Sequence, residues 1–267
     1  IVLEKGLLAN SIYHFPSNMT FFSTSRLLEI GDIPFISHNE KPTRGEALEY
    51  YRRIMDHYSL HIKFYEEVTS MNSNSGGAYR IHTNKATYTA THVIVASGYY
   101  DVPRYLDIPG EDLPKVSHYY KDPHPYIGQR VLVIGAANSA CDAALETWGK
   151  GAEVAMAIRS SEIYPKVKYW IKPNIENRIK EGSIKAYFNT SVLSIHEDHV
   201  VLQDPKKIFE IPNDFVLAMT GYEPNYALLK NLGIPCNTDR DNKPLHDPAT
   251  LATQLPVVSL AGVVCAG

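Results

Sequence analysis

Residues 130–159, RVLVIGAANSACDAALETWGKGAEVAMAIR, restrict the fold more than any other part of the chain. Residues 130–134 are a short apolar run with two β-branched valines, which reads as a buried parallel strand. Gly135-Ala136-Ala137-Asn138-Ser139-Ala140 is a turn of small residues. Residues 142–148 read as a helix, with Ala143, Ala144 and Leu145 as strong formers. Gly149 and Gly151 end it, because glycine accepts the left-handed conformation without a Cβ penalty. Residues 153–158 form a second strand, closed by Arg159. Strand, turn, helix and strand in this order make the βαβ dinucleotide-binding pattern G-x-G-x-x-G/A. Gly135 permits the tight turn, and Ala140 lets the helix lie close to the strand. The helix N-terminus offers free N–H groups and a partial positive charge to a pyrophosphate. One position departs from the pattern. The second glycine is Ala137, whose methyl would crowd a phosphate unless the backbone shifts. The alternative is an ordinary βαβ crossover with a small-residue turn.

Arg159 bears on which nucleotide. The residue that reads the ribose lies about 20 positions past the glycines, and Arg159 stands in that interval. An acidic residue there accepts from a 2′-hydroxyl and repels a 2′-phosphate; arginine does the reverse and favours NADP over NAD. Ser160 and Ser161 add hydroxyl donors.

The 267 residues suffice for two modest domains or one large one. An apolar share of 44% and a charged share of 21% are those of a globular chain. A net charge of −3, with no Lys/Arg block, argues against a nucleic-acid surface. Cys141, Cys236 and Cys265 lie far apart in no metal-binding spacing. Reduced thiols, a cytoplasmic setting and no metal site are therefore expected. No run approaches the ~18 apolar residues of a membrane span, and no membrane partner is expected. Both chain ends are apolar and read like the middle of a fold, so a longer parent protein is expected.

Residues 1–4 read as a strand ending in a carboxylate, where a dinucleotide fold places its ribose-binding acid. Its glycine loop and first helix would then lie upstream of Ile1. Residues 10–25, NSIYHFPSNMTFFSTS, show no clear period. Such an aromatic and hydroxyl-rich stretch either lines a flat cofactor or packs as a surface loop. His14 within it is a candidate acid or base, with a hydrogen-bonded loop histidine as the more ordinary role. Thr43 and Glu46 fit a helix-capping box, followed by Ala47, Leu48, Tyr51, Ile54 and Met55 at helical spacing. Residues 60–94 read as short strands and a hairpin around Asn84-Lys85. Residues 101–125 carry five prolines and read as a connection, with the domain boundary near 110–127. After Arg159, the lysines of residues 164–173 either assist a phosphate or, more simply, solvate a surface.

The two halves echo each other. Residues 92–103, HVIVASGYYDVP, and 214–224, DFVLAMTGYEP, are both an apolar strand, then Ser/Thr-Gly-Tyr, then proline. Each follows a β-rich stretch and a βαβ start, at Glu4 and at Gly135 to Arg159. Two copies of a nucleotide-binding half imply two nucleotides. The second takes NADPH, and the first takes FAD, because a hydride from NADPH needs an acceptor.

These paired halves, with Ser97-Gly98, Thr220-Gly221 and the late Leu260-Ala261-Gly262, resemble the two-dinucleotide-binding flavoproteins. Within that group the IVLEKG start, NSIYHFPSNMTFFSTS, LEIGDIPF, KPTRGEALEYYR, IGAANSACDAALE and EIYPKVKYWIKPNIENRIK resemble the bacillithiol disulfide reductase family, a thioredoxin-reductase-like group. The likeness covers nearly the whole chain. It implies an α/β fold of two Rossmann-like domains, each with a β-meander, the FAD domain being truncated at both chain ends. Residues 1–122 would be the first part of the FAD-binding domain, 123–240 the NADPH-binding domain and 241–267 a return to the first. The implied activity is NADPH-dependent reduction of a low-molecular-weight thiol disulfide, with homo-oligomerisation left open. A redox cysteine is implied beside the first glycine motif, upstream of Ile1, so no catalytic residue is assigned within the chain. By the same resemblance Glu4 and Lys5 would bind the FAD ribose region, Val68 would meet adenine, and Thr20, Ser23, Ser97, Gly98 and Gly262 would line the flavin. The usual Asp after that last glycine is Val263. Gly135, Asn138, Ser139, Ala140, Arg159 and Ser160 would hold NADPH. Two other readings stand beside this one. A flavin monooxygenase-like enzyme is similar through Val116-Ser117-His118-Tyr119-Tyr120 and Asn138-Ser139, although Ile108-Pro109-Gly110 replaces that group's signature. A non-catalytic NADPH-binding module is the other.

Overall fold

The computed structural model describes residues 1–74, 76–237 and 242–265. The chain forms two compact units, neither of them continuous in sequence. One comprises residues 15–18 and 104–221; the other comprises residues 1–14, 19–103 and the chain from Tyr222 onward.

The 104–221 unit is built on five parallel strands in the order Lys185–Tyr187, Glu153–Ala157, Arg130–Ile134, Phe215–Ala218, Val116–Ser117. The central strand is apolar because it is covered on both faces. Val131 and Val133 enter one core with Ala140, Ala143 and Ala144, whereas Leu132 and Ile134 enter another with Ile195, Val200 and Leu202. Alternation along the strand thus feeds two layers, each buried aliphatic contributing ~1.5–3 kcal/mol. Helices Asn138–Gly149 and Lys172–Lys180 belong to the first layer, and the antiparallel meander Ser191–Ile195, His199–Gln203, Ile208–Pro212 to the second. Asp214 pins the start of the central strand: its carboxylate accepts from Arg130 N and Nε at 2.9 Å and from Nη2 at 2.6 Å.

The compact units divide the chain differently from the expected domains. The Val116–Ser117 strand hydrogen-bonds Phe215–Ala218 and draws the proline-rich connection into this unit, so the unit begins at Arg104 rather than at 123. It ends at Gly221, ahead of the expected 240/241 boundary, which itself lies outside the described residues. The helix also begins earlier, at Asn138, so half of the expected turn is its first helical turn.

In the other unit, helix Arg44–His57 has the expected capping box: Thr43 N donates to Glu46 Oε2 at 2.8 Å and Glu46 N to Thr43 Oγ1 at 3.3 Å. Accepting from Thr43 N, from His38 N and from the Thr43 hydroxyl holds the Glu46 carboxyl below the usual range. Its buried residues are Ala47, Tyr50 and Ile54, Tyr50 stacking on Phe35. The patternless stretch contains a short helix, Asn10–His14. Arg44 holds its end, its Nη2 and Nε donating to Tyr13 O at 2.6 and 3.2 Å, a partner 31 residues away. Strands Val68–Ser73, Tyr79–Thr83 and Thr87–Ala90 form an antiparallel sheet; Ser75, within the expected turn, lies outside the described residues. Val2–Leu3 pairs in parallel with Ile62–Lys63, and Val93–Val95 with Val258–Leu260. Val102–Pro103 pairs with Tyr222–Glu223 where the chain leaves this unit and returns.

Gly110 has φ +81°, and a Cβ there would meet Ile195 O at 1.8 Å; Gly128 has φ +70° with open space around it. Gly110→Ala is expected to cost at least ~3 kcal/mol by urea unfolding, against ~1–2 kcal/mol for Gly128→Ala; equal losses would contradict the packing. Arg130 holds the Asp214 carboxyl down to about 2. This stability is present above the unfolded pKa and is lost as pH falls through the folded one. Asp214→Asn should cost ~1–2 kcal/mol at pH 7, a gap that closes as pH falls from 4 to 2.

Candidate functional site

In the 104–221 unit the glycine turn is built by one close approach. Gly135 has φ +129°, and a Cβ on it would stand 2.6 Å from Met219 O and 3.2 Å from the Ala140 methyl. Ala140 is fully buried, as the fingerprint requires. Ala137 is the helix N-cap, at φ −90° and ψ −176°. That is ordinary extended backbone, so the local conformation does not call for glycine there. Ala137 has no side chain able to cap, and the first residue of the helix ladder to be bonded is Cys141, whose N donates to Ala137 O at 3.0 Å. The amides of Asn138, Ser139 and Ala140 therefore point from an uncapped N-terminus, the anion-binding arrangement the sequence predicts.

Arg159 follows the Glu153–Ala157 strand, is exposed, and has no ion pair among the described residues. Ser160 is turned locally, its hydroxyl donating to Glu162 O at 2.7 Å. The Asn138 side chain is engaged within the chain, its Oδ1 accepting from Lys168 N at 2.9 Å. Two acids on successive turns of this helix, Asp142 and Glu146, carry no signal in the sequence. Asp142 is pushed up to about 6 by burial and by Glu146, which accepts from Asn18 Nδ2 and from the Tyr120 hydroxyl, each at 2.8 Å.

In the other unit the structure brings Ser97-Gly98 and Gly262-Val263 together. Ala261 N donates to Val95 O at 2.9 Å, and a Cβ on Gly98 would lie 3.9 Å from Val263 Cγ2. Both segments follow the carboxyl ends of parallel strands, where α/β sheets bind ligands. The Ser97 hydroxyl is buried with no hydrogen-bond partner among the described residues, so it waits for an external one. Glu4 ends its strand, its Oε1 accepting from Gly6 N at 2.8 Å. Leu3 and Val68 pack in one cluster. Thr20 bridges to Thr43, at the cap of the long helix, with Ser23 half-buried beyond it. Lys5 is engaged by Asp101 at 2.7 Å. His14 O accepts from the Tyr100 hydroxyl at 3.3 Å. The three cysteines are unpaired; Cys141 is buried and its thiol pushed up to about 12, and burial also raises Cys236.

One nucleotide-shaped strand end in each unit defines the class, a two-dinucleotide-binding oxidoreductase. The chain belongs to the pyridine nucleotide-disulphide oxidoreductase family, which matches residues 1–262, and within it to the bacillithiol disulfide reductases. It is 42% identical over 268 residues to the bacilliredoxin reductase Bdr of Bacillus subtilis (strain 168), covering 100% of this chain and 82% of that one. The structure of the bacillithiol disulfide reductase Bdr from Bacillus cereus superposes with a TM-score of 0.95 at 39% identity, over 99% of this chain and 82% of that one. The thioredoxin reductase of T. acidophilum shares the fold, with a TM-score of 0.76 at 21% identity over 99% of this chain and 82% of that one. The protein is a flavin-dependent disulfide oxidoreductase using FAD and a nicotinamide nucleotide. Among the described residues, no helix is long and apolar enough to cross a membrane.

The buried Ser97 hydroxyl fits a flavin contact. Ser97→Ala is expected to leave the flavin-free protein as stable or slightly more so, since it removes an unpartnered polar group, and to weaken FAD retention by ~0.5–1.5 kcal/mol. Thermal unfolding of the flavin-free protein and flavin release by fluorescence read the two effects separately.

Proposed function

We propose that the protein reduces a low-molecular-weight thiol disulfide of the bacillithiol type with NADPH: one disulfide, one NADPH and one proton give two thiols and NADP⁺. The reading assigns NADPH to the 104–221 unit and FAD to the other. The observation that carries it is exposed Arg159, with no ion pair among the described residues, at the ribose-reading position of a βαβ unit whose helix N-terminus has no side-chain cap. The amides of Asn138, Ser139 and Ala140 receive the diphosphate, and the Arg159 guanidinium receives the 2′-phosphate that distinguishes NADPH from NADH. Glu4 takes the FAD ribose, Val68 meets the adenine through its backbone, and Thr20, Ser23, Ser97, Gly98 and Gly262 surround the flavin ring. When bound, the flavin supplies the two-electron relay between nicotinamide and disulfide. Cys141 takes no part, since a buried thiol at about 12 holds its proton. The similarity to proteins named as bacilliredoxin and bacillithiol disulfide reductases supports the substrate class.

The test is NADPH oxidation by the flavin-loaded enzyme with bacillithiol disulfide, alongside Arg159→Glu. Turnover is expected to depend on the disulfide, and the variant should lose roughly 1–3 kcal/mol of binding for NADPH and far less for NADH. Oxidation indifferent to disulfide would overturn the substrate assignment, and equal losses for both nucleotides would overturn the role of Arg159.

A further inference from the structure

The loop after Arg159 is fastened to the glycine turn at two places. Tyr164 N donates to Ala136 O at 3.1 Å, and Lys168 N donates to Asn138 Oδ1 at 2.9 Å. The two acceptors flank Ala137, the N-cap of the helix with open amides. Underneath, Ile163, Val167 and Ile171 are buried in the same cluster as Ala140 and Cys141. Their four-residue spacing leaves Tyr164, Lys166 and Lys168 exposed. The Arg159 end is held elsewhere. Ile158 N donates to Tyr187 O and Thr190 N to Ile158 O, both at 2.9 Å, and Asn189 N donates to Ser160 O at 3.0 Å. The loop thus has two separate anchors, one beside the residue that reads the 2′-phosphate and one at the turn that receives the diphosphate.

We infer that Asn138 is a positioning residue of the nucleotide site: its side-chain carbonyl holds residues 164–168 as a wall beside the open helix amides, where Lys168 supplies charge to the diphosphate. This rests on the reading of this unit as the NADPH-binding one. It gives the Asn138 side chain a different task from direct nucleotide contact, and it gives the lysine stretch a role beyond solvation. It also separates two functions within one loop. Loss of the Asn138 anchor moves the part facing the diphosphate, which NADPH and NADH share, and leaves the Arg159 anchor in place. Affinity falls for both nucleotides while the preference between them stays.

The experiment compares Asn138→Ala, Lys168→Met and the double variant in the full chain. NADPH and NADH dissociation constants are measured, together with amide hydrogen exchange across residues 164–171 without nucleotide. Each single variant is expected to weaken both nucleotides about tenfold, the size of one charge-assisted contact. The double variant should lose no more than either single, because both act through one contact. Exchange at the Lys168 amide should rise at least tenfold in nucleotide-free Asn138→Ala and stay protected in Asn138→Asp, which keeps an acceptor. Additive losses of about a hundredfold, with unchanged exchange, would show that the Asn138 side chain touches the nucleotide itself and overturn the inference. A wild-type chain that binds neither nucleotide would sink the cofactor assignment and the role given to Lys168. The exchange contrast would still decide whether Asn138 holds the loop.

Discussion

Everything in the 104–221 unit depends on how near helix Asn138–Gly149 comes to strand Arg130–Ile134. The approach is set by hydrogen and methyl groups: Gly135 against Met219 O and Ala140, then Ala143 and Ala144, both fully buried. Larger side chains would push the helix off the sheet. Closeness carries the helix N-terminus to the carboxyl ends of the strands, so its free amides gather where a phosphate binds. The long helix of the other unit shows the opposite use of the same backbone. There Thr43 and Glu46 close the N-terminus with their own side chains, and the helix serves packing. Ala137 at the first N-cap and Thr43 at the second account for the difference between a receptive helix end and a closed one.

Those local devices were legible in the sequence because their physics is local. A capping box spans four residues, a glycine turn six, and a buried parallel strand reads as an apolar run. The family resemblance extended this to the order of the two nucleotide-binding halves. What escaped was set by partners distant in the chain. The Asn10–His14 helix lacks a period of its own and is finished by Arg44. Val116–Ser117 is two residues long, is embedded among prolines, and becomes a strand only against Phe215–Ala218. Glu66, an ordinary surface residue by composition, is buried under the hydroxyls of Thr83 and Tyr88, at 2.8 and 2.7 Å.

The site was legible in outline and altered in detail. Gly135 and Ala140 perform the packing roles that their residue types announce. Lys5 is bound to Asp101, and the Asn138 carbonyl is turned to the chain's own backbone. A motif specifies which residue types stand at a helix end but not which of their polar atoms the protein keeps for itself. The Asp142 carboxyl makes the same point from the other side, since it carries no pattern and is defined by what surrounds it.

The discontinuity of the units has a consequence for the order in which the chain acquires its structure. The apolar cluster of the nucleotide-flanking unit joins Met71, Tyr79, Ile81 and Val95 to Leu229, Ile234, Val258 and Leu260. Among the described residues, four of its ten buried members are translated before the 104–221 unit and six after it. The inserted unit has all its strands once Ala218 has left the ribosome, and Asn18 and Ser17, which bond Glu146 and Lys121, were made long before. At ~5–20 residues per second the first part of the outer core waits on the order of ten seconds for its complement. The nascent protein therefore has every strand of the inserted unit while the other unit's apolar cluster is incomplete, and the short parallel strand Val93–Val95 is an edge open to wrong pairing until Val258–Leu260 arrives.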